Sequence, residues 1–386
     1  MKFFFVSTMR GAQWGGSEEL WSQAAIRLRR EGHAVRASVM DFRTLSGRFE
    51  SLVQHGIGLE THPSPDYMVG RTRRFLNRIS LKGRRIYARL KRFNPDLVVI
   101  SKGYVLEDYE WERVCREAGI PYVIVVQCNS ELWWFGQHLD AAATSYRGAC
   151  KVFCVSKRNL EQLRLQVGEP LSNLEVVWNP CNVSTADVLP WPPEDGCWKL
   201  ACIARMDSAA KGQDLLFQVL ALPEWRDRPV EVNLYGTGPD EPALRRCAEM
   251  LQLKNIYFRG HVDDISGVWK RNHLLVLPSR YEGLPLVLIE AMWCGRPSVV
   301  TDVGGNAELC IENETGFVAP APTVTLLADT LERAWNRQKD WRLMGQAARA
   351  RAESKIPRDP ISIFSERLKS CAGSTRLPRP NSDTAK

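Results

Sequence analysis

The residues that most clearly indicate a chemical role are two glutamates separated by seven residues, Glu282 and Glu290. A helix is predicted from near Leu284, with Pro285 in its first turn, to a cap at Gly295. Glu282 then lies in the loop before the helix, and Glu290 lies about two turns inside it. The residues around Glu290 are apolar on nearly every side of the helix, so its carboxylate is predicted to be buried.

A buried carboxylate costs free energy unless hydrogen bonds or a cation compensate its charge. A vicinal diol, such as that of a ribose, would donate two hydrogen bonds to Glu290, and an internal arginine or lysine would pair with it instead; this residue alone leaves both readings open. The backbone N–H groups of the first helical turn form an anion site that suits a phosphate. They belong to the stretch that includes Gly283, Leu284 and Leu286.

Two cations, Arg205 and Lys211, follow the first predicted strand of the second half of the chain. In an α/β sheet, ligands bind beyond the carboxyl ends of the strands, which is where both side chains are expected. Their charge suits a diphosphate. A single arginine or lysine is more often solvated in a loop, so this prediction depends on their occurrence together with the glutamates.

Glycine turns follow other strands at the same predicted sheet edge. Gly236 and Gly238 lie in a Tyr-Gly-Thr-Gly-Pro turn, and His261 follows the next strand, where backbone groups could meet a base. Near the N-terminus, Gly15 and Gly16 precede a helix whose first N–H groups could hold a pyrophosphate. Neither GxGxxG nor GxxxxGK[ST] spacing occurs, which argues against a dinucleotide cofactor and against a P-loop.

Short apolar runs alternate with amphipathic, helix-length segments up to about residue 320, as in parallel α/β sheets. The strands predicted in the first half of the chain are 2–7, 34–40, 96–101, 122–127, 151–155 and 174–177. Those predicted in the second half are 199–203, 230–235, 256–259, 274–277 and 298–300. Further helices are predicted at 17–30, 157–166, 323–336, 341–352 and 360–369.

The length of 386 residues exceeds what one hydrophobic core usually serves, so two domains are expected. A stretch rich in proline and tryptophan, 189–193, interrupts the periodicity and is typical of a linker. The predicted domains are therefore 1–190 and 191–356. Residues 372–386 lack periodicity and are predicted to be a disordered tail.

The composition excludes several classes of protein. Hydrophobic residues make up 44% and charged residues 25%, as in globular domains, and no apolar run approaches the ~18 residues of a membrane span. The N-terminus is predicted to be a buried strand rather than a signal peptide, and the eleven cysteines form no CxxC pair, so a reducing cytoplasmic location is expected. The six histidines show no metal-ligand spacing, and the net charge of +8 is not accompanied by a nucleic-acid recognition motif.

The glutamate pair, the R(x5)KG element at Arg205, the GxGP turn at Gly236, the EGxP loop and the VGGxxE segment occur together and in this order. This combination resembles the retaining nucleotide-sugar glycosyltransferases of the group-1 type, family four, over nearly the whole chain. The resemblance implies the GT-B architecture, an α/β fold of two Rossmann-like domains that face a central cleft. It also implies sugar transfer to an acceptor with retention of configuration, without a metal or other cofactor.

Residue roles follow from the same resemblance. Glu290 would bind the ribose and Glu282 would lie near the donor sugar, while Arg205 and Lys211 would grip the diphosphate. The glycine loop of the first domain corresponds to Gly15 and Gly16. A C-terminal helix at about 357–371 would cross back to the first domain.

One departure from the family pattern follows the strand 122–127. Where the family often has a histidine near the donor sugar, this chain has Gln127. Gln127, Asn129 or His138 could contact a sugar. Trp133 and Trp134 could stack on a sugar ring or could pack between the domains. The departure keeps open a non-catalytic nucleotide-sugar-binding protein, and a nucleotide-sugar epimerase is the nearest enzymatic alternative.

The segment 71–93 holds ten lysines or arginines and no acidic residue, with apolar residues at helical spacing. Such a helix can dock on an anionic membrane surface, and the protein would then be peripheral on the inner face of the cell membrane. The same pattern fits a helix that packs its apolar face on the core with its charges in water. A membrane position would suit a lipid-linked glycan acceptor in envelope or exopolysaccharide synthesis, and no nucleic-acid partner is expected.

Overall fold

A computed structural model describes residues 1–9, 14–42, 47–62, 75–107, 109–186 and 188–373, without the side chains of 75–81. The chain divides into two compact units. Unit 1 comprises Met1–Pro180 together with the chain from Asp359 onward, and unit 2 comprises Cys181–Arg358. Most of the tail predicted to be disordered, 374–386, lies outside the described residues, as do residues 71–74 of the basic segment.

Unit 1 is built on a parallel sheet of seven strands. Their order is β3-β2-β1-β4-β5-β6-β7. The strands are β1 (Lys2–Ser7), β2 (Ala34–Met40), β3 (Gly58–His62), β4 (Leu97–Lys102), β5 (Tyr122–Val126), β6 (Lys151–Cys154) and β7 (Leu174–Val176). The helices are α1 (Gly16–Arg30), α2 (Gly47–Gln54), α3 (Phe75–Phe93), α4 (Glu110–Ala118), α5 (Leu139–Gly148) and α6 (Lys157–Val167), with a C-terminal helix described below.

The central strands β1, β4 and β5 are buried almost throughout, because helices cover both faces of a parallel sheet. Since β1, β4 and β5 run parallel, their carboxyl ends lie at one edge of the sheet. The loops that contain Gly15 and Gln127 both leave this edge. The sheet therefore brings together loops that are about 110 residues apart in sequence.

Unit 2 has a six-stranded parallel sheet in the order β10-β9-β8-β11-β12-β13. Its strands are β8 (Trp198–Ile203), β9 (Val230–Tyr235), β10 (Ile256–Gly260), β11 (Leu274–Leu277), β12 (Ser298–Thr301) and β13 (Gly316–Ala319). Its helices are α7 (Ser208–Lys211), α8 (Gln213–Leu220), α9 (Pro223–Arg226), α10 (Glu241–Met250), α11 (Ile265–Trp269), α12 (Leu286–Trp293), α13 (Asn306–Leu309), α14 (Val324–Asn336) and α15 (Trp341–Lys355). The strand order places the ends of β8, β9, β10 and β11 side by side.

The predicted α/β class and all eleven predicted strands are confirmed, within one residue at each end. Two edge strands, β3 and β13, were not predicted. The helix that carries Glu290 begins at Leu286, two residues later than predicted, so the expectation that Pro285 lies in its first turn is wrong. Pro285 is the N-cap residue with extended backbone, which its fixed φ of −67° allows.

The C-terminal helix, α16 (Pro360–Gly373), belongs to unit 1 and packs against α1. The ammonium of Lys369 is 3.0 Å from a carboxylate oxygen of Glu31, and the guanidinium of Arg367 donates to the carbonyl of Val176 at 2.8 Å. The ring of Phe364 meets that of Phe153 edge-on. The last helix thus completes the core of the unit in which the chain begins.

Residues 190 and 191, within the predicted linker, are held on unit 2 by a buried arginine. The guanidinium of Arg296 donates to the carbonyls of Pro190, Trp269 and Asn272 at distances of 2.5–3.1 Å, and it stacks over the ring of Trp191. Burial lowers the pKa of Arg296 to about 10. A cation that satisfies several carbonyls in this way fixes the start of unit 2 to the turn that follows α11.

Candidate functional site

Glu290 lies in the most apolar helix of the site. Residues 287–293 of α12 are all buried, and Glu290 itself is 3% exposed. Its Oε1 accepts hydrogen bonds from both the backbone N–H and the side-chain amide of Asn182, at 3.2 and 3.1 Å. The carboxylate is therefore buried, as predicted. One neutral residue, Asn182, supplies two of the hydrogen bonds that the carboxylate accepts.

Glu282 precedes the same helix, and its carboxylate contacts one of the two predicted cations. The ammonium of Lys211 lies 2.6 Å from Oε1 of Glu282, and the hydroxyl of Ser279 donates to the same oxygen at 2.7 Å. Glu282 is 6% exposed. An ion pair with so little solvent around it holds both side chains in one geometry. Residues expected to contact different parts of a ligand thus contact each other.

Arg205 is positioned by the loop that follows β8. Its guanidinium lies 2.5 Å from the carboxylate of Asp207, and its carbonyl accepts from the side chain of Gln213. A second arginine, which was not among the predicted site residues, stabilises this loop. Arg280 binds the carboxylate of Asp214 through two hydrogen bonds of 2.7 Å, which raises the pKa of the guanidinium.

The glycines of the GxGP turn have a structural reason to be glycine. A Cβ atom on Gly236 would lie 2.1 Å from the carbonyl oxygen of Ala204, and one on Gly238 would lie 2.3 Å from that of Met206. Because the two glycines have no Cβ atom, the loop after β9 can pack on the loop after β8, where the N–H of Met206 donates to the carbonyl of Thr237. Close backbone packing therefore brings this turn next to the loop that carries Arg205.

The VGGxxE segment packs in the same way on the loop before α12. A Cβ on Gly304 would lie 2.4 Å from the carbonyl oxygen of Glu282, and the N–H of Gly305 donates to the carbonyl of Gly283 at 2.7 Å. Gly304 also has a φ of +52°, which favours glycine. Gly283 and Leu284 are buried beside Glu282. His261 is different: its ring is exposed and lies 3.4 Å from the carboxylate of Asp263.

In unit 1 the glycine loop leads directly into α1. Gly15 is the N-cap with extended backbone, Gly16 begins the helix, and the hydroxyl of Ser17 contacts the sulfur of Met9. The next residue, Glu18, is 2% exposed and accepts hydrogen bonds from the hydroxyl of Ser7 and the indole of Trp21. Burial raises the pKa of Glu18 to about 7, against the opposing effect of these hydrogen bonds.

The raised pKa predicts how the stability of the protein depends on pH. Between its usual value of 4.5 and about 7, Glu18 keeps a proton in the folded state that the unfolded state has lost. Stability contributed by this group therefore falls as pH rises through that range, by about 3 kcal/mol in all. We expect Glu18→Gln to remove this loss, so that the variant gains stability relative to wild type between pH 4 and pH 8.

Urea unfolding of both proteins at several pH values measures the effect. Glu50→Gln serves as the control, because Glu50 is an exposed glutamate on α2. A difference in unfolding free energy between Glu18→Gln and wild type that stays constant from pH 4 to pH 8 would contradict the assigned pKa.

The polar residues after β5 are arranged as a buried network. Oε1 of Gln127 accepts from the amide of Asn179 at 3.0 Å, whereas Nε2 of Gln127 and Oδ1 of Asn179 find no hydrogen-bond partner among the described residues. Asn129 donates to the side chain of Gln166 at 2.8 Å. His138 is exposed at the end of a 3-10 turn, Gly136–His138.

The two tryptophans after β5 differ in their surroundings. The ring of Trp133 packs edge-on against Tyr104, with centroids 5.2 Å apart. Trp134 is 62% exposed, and its indole N–H donates to the carbonyl of Glu131.

The candidate residues therefore form one group in each unit. In unit 2 the loops that carry Arg205, Lys211, Gly236 and Glu282 pack on one another at the carboxyl edge of the sheet. In unit 1 the loops that contain Gly15 and Gln127 begin at the carboxyl edge of that unit's sheet. Within the described ranges, no three histidine, cysteine, aspartate or glutamate side chains are grouped so as to hold a metal ion. No helix in the same ranges is long and apolar enough to cross a membrane.

Two family models match the chain, one in each half. Residues 14–185 match the model described as "Glycosyltransferase Family 4", and residues 198–337 match that described as "Glycosyl transferases group 1". Among solved structures, HepE of Anabaena in complex with UDP superposes with a TM-score of 0.74 at 19% identity, covering 96% of this chain and 100% of that one. This likeness shows the shared fold.

Curated relatives match shorter segments. The alpha-D-kanosaminyltransferase of Streptomyces kanamyceticus is 32% identical over 130 residues, which is 33% of each chain. The Vi polysaccharide biosynthesis protein VipC/TviE of Salmonella typhi is 43% identical over 96 residues, which is 24% of this chain and 16% of that protein. The chain thus spans a third or less of the length of these relatives. Because family models match both halves, the chain belongs to the group-1, family-four glycosyltransferases, and its fold is GT-B.

Proposed function

We propose that the protein transfers a sugar, with retention of configuration, from a nucleotide-sugar donor to a glycan or lipid-linked glycan of envelope or exopolysaccharide synthesis. Unit 2 would bind the donor and unit 1 the acceptor. The observation that carries the proposal is Glu290, a carboxylate buried in an apolar helix at the sheet edge where Arg205 and Lys211 are also held. The Salmonella relative named for polysaccharide biosynthesis supports the class of acceptor.

The donor would lie along the carboxyl edge of the sheet in unit 2. Glu290 would accept hydrogen bonds from the ribose hydroxyls, and the N–H groups before and within the first turn of α12, at Gly283, Leu284 and Leu286, would face a phosphate. The loops at Gly236, Gly238 and His261 would border the base. This assignment is supported by the packing of the loops after β8, β9 and β11 against one another.

The chemistry would rest on charge stabilisation by the chain itself. As the nucleoside diphosphate leaves, negative charge grows on its outer phosphate, and Arg205 and Lys211 would stabilise it. An ammonium has three N–H donors, so Lys211 can contact Glu282 and a phosphate oxygen together. Through this ion pair Glu282 would orient the cation beside the donor sugar. The leaving phosphate would accept the proton of the acceptor hydroxyl.

Unit 1 would contact the sugar through Gln127. Nε2 of Gln127 and Oδ1 of its neighbour Asn179, which have no hydrogen-bond partner within the part of the chain that the structure describes, offer one donor and one acceptor, which one hydroxyl can satisfy together. The N-terminus of α1 at Gly15 and Gly16 would face the pyrophosphate. Asn129 is bonded inside unit 1 and His138 is exposed, so both are weaker candidates for the sugar.

Slow hydrolysis of the donor tests whether the protein is an enzyme or only binds nucleotide sugars. UDP-glucose is the first donor to try, with GDP- and ADP-sugars beside it, because UDP is bound in the Anabaena neighbour. We expect hydrolysis without acceptor, unchanged by EDTA and reduced about 100-fold or more by Lys211→Ala. Binding of a donor without any hydrolysis would favour a non-catalytic protein, and loss of activity with EDTA would contradict the expected metal independence.

Helix α3 would place unit 1 on an anionic membrane from the cytoplasmic side. Arg89 and the exposed Arg92 pair with Glu60 on β3, and Arg84, Arg85 and Lys91 are exposed as well. We expect the protein to co-sediment with vesicles that contain 30% phosphatidylglycerol, and reversal of these three charges to glutamate to abolish it. Reversal of exposed charges on unit 2, at Lys254 and Arg342, is the control. Equal binding to neutral vesicles would exclude the electrostatic attachment.

A further inference from the structure

One residue supplies two hydrogen bonds to a single oxygen of Glu290. Asn182, the second residue of unit 2, donates through its backbone N–H at 3.2 Å and through Nδ2 at 3.1 Å, both to Oε1. The contact joins residues that are 108 positions apart in the sequence. Asn182 itself is exposed, whereas the carboxylate that it contacts is buried.

The segment that carries Asn182 is fixed on α12 by other contacts. Arg349 of α15 donates to the carbonyl of Thr185 at 3.2 Å and to the carbonyl of Trp293, at the end of α12, at 2.6 Å. The side chain of Val183 is buried. Because these contacts hold the residues that follow Asn182 directly in the chain, they restrict the backbone from which the amide of Asn182 reaches Glu290.

Two donors on one oxygen fix the rotation of a carboxylate. The outer torsion of a glutamate is broad, so an isolated carboxylate would sample many orientations. Hydrogen bonds to a charged acceptor are among the stronger ones in proteins, and a carboxylate has about four lone-pair sites. Glu290 can therefore be held by Asn182 and still accept hydrogen bonds from a diol.

We propose that Asn182 is a positioning residue that orients the Glu290 carboxylate for the ribose of the donor. The proposal rests on the assignment of Glu290 to the ribose made above. Asn182 contributes through the glutamate: its two donors restrict the rotation of the carboxylate, and without them its alignment with the two hydroxyl groups is weakened before the nucleotide binds.

The test is a double-mutant cycle read by titration calorimetry with UDP. We expect Asn182→Ala to weaken UDP binding about 5–10-fold in the wild-type background and to have no further effect in the Glu290→Ala background. Asn336→Ala, which removes an exposed asparagine hydrogen-bonded to Glu332 on α14, is the matched control and should bind UDP as wild type does. Thermal unfolding of each variant reports whether it is folded.

A second, isosteric variant separates positioning from folding. Asn182→Asp places a carboxylate against Glu290, so its binding of UDP should be weaker than that of Asn182→Ala at pH 8 and should recover toward pH 5, where one carboxylate gains a proton. A loss in Asn182→Ala that persists undiminished in the Glu290→Ala background overturns the proposal. If Glu290→Ala itself binds UDP as wild type does, the ribose assignment fails instead.

Discussion

We expect replacement of Glu290 by alanine to weaken the binding of a nucleoside diphosphate by about 100-fold. Two hydroxyl donors to a charged acceptor contribute about 1.5 kcal/mol or more each, and a loss of about 3 kcal/mol corresponds to roughly that factor in Kd. Glu290→Gln should weaken binding less, because the amide oxygen still accepts one hydrogen bond. Titration calorimetry with UDP, and with GDP and ADP beside it, measures both variants.

The control for this result is Glu249→Ala, which removes an exposed glutamate from α10 of the same unit. It should bind UDP as wild type does. Thermal unfolding must accompany the Glu290 variants, since Asn182 loses its acceptor when the carboxylate is removed. A folded Glu290→Ala protein that binds UDP within twofold of wild type would contradict the assignment of Glu290.

We expect turnover to fall about 100- to 1,000-fold when Lys211 or Arg205 is replaced by alanine, and binding of the donor to fall much less. In the proposed mechanism these cations would act on charge that develops as the diphosphate leaves, and one such group typically contributes about 2.7–4 kcal/mol to the transition state. Steady-state kinetics with the donor that proves active gives kcat and KM separately.

Lys211→Ala also removes the ion-pair partner of Glu282. Its effect on stability must therefore be separated from its effect on turnover. In the double variant Lys211→Ala, Glu282→Gln the buried charge is removed as well, and any loss of stability should be partly restored while turnover stays low. Lys254→Ala, an exposed lysine of unit 2, is the control. Normal kcat in a folded Lys211→Ala protein would exclude Lys211 from the reaction.

The sequence predicted the elements of the fold well, because long buried strands such as β1 and β4 are continuous apolar runs. It missed β3 and β13, which are short strands at the sheet edges. β3 is five residues, Gly58–His62, that carry a glutamate and a threonine, and only its last residue is fully buried. A short segment with this composition is indistinguishable from a loop without the sheet that pairs with it.

Within the site, residue types were predictable but their partners were not. The apolar residues on nearly every side of Glu290 in the sequence predicted its burial. That Lys211 would contact Glu282, 71 positions away, depends on the packing of the loops after β8 and β11, which local spacing does not encode. The same holds for Arg280 with Asp214 and for Asn182 with Glu290. A charged residue that the sequence predicts to be buried can be expected to have partners, but only the tertiary structure identifies them.

The most direct test of the ribose assignment compares UDP with its 2′,3′-dideoxy analogue, by titration calorimetry, on wild type and on Glu290→Ala. Removal of both ribose hydroxyls should weaken binding to wild type about 100-fold and should leave binding to Glu290→Ala nearly unchanged, since that variant has already lost the acceptor. If Glu290→Ala still discriminates between the two nucleotides as strongly as wild type does, another group binds the ribose and the account of the site is wrong.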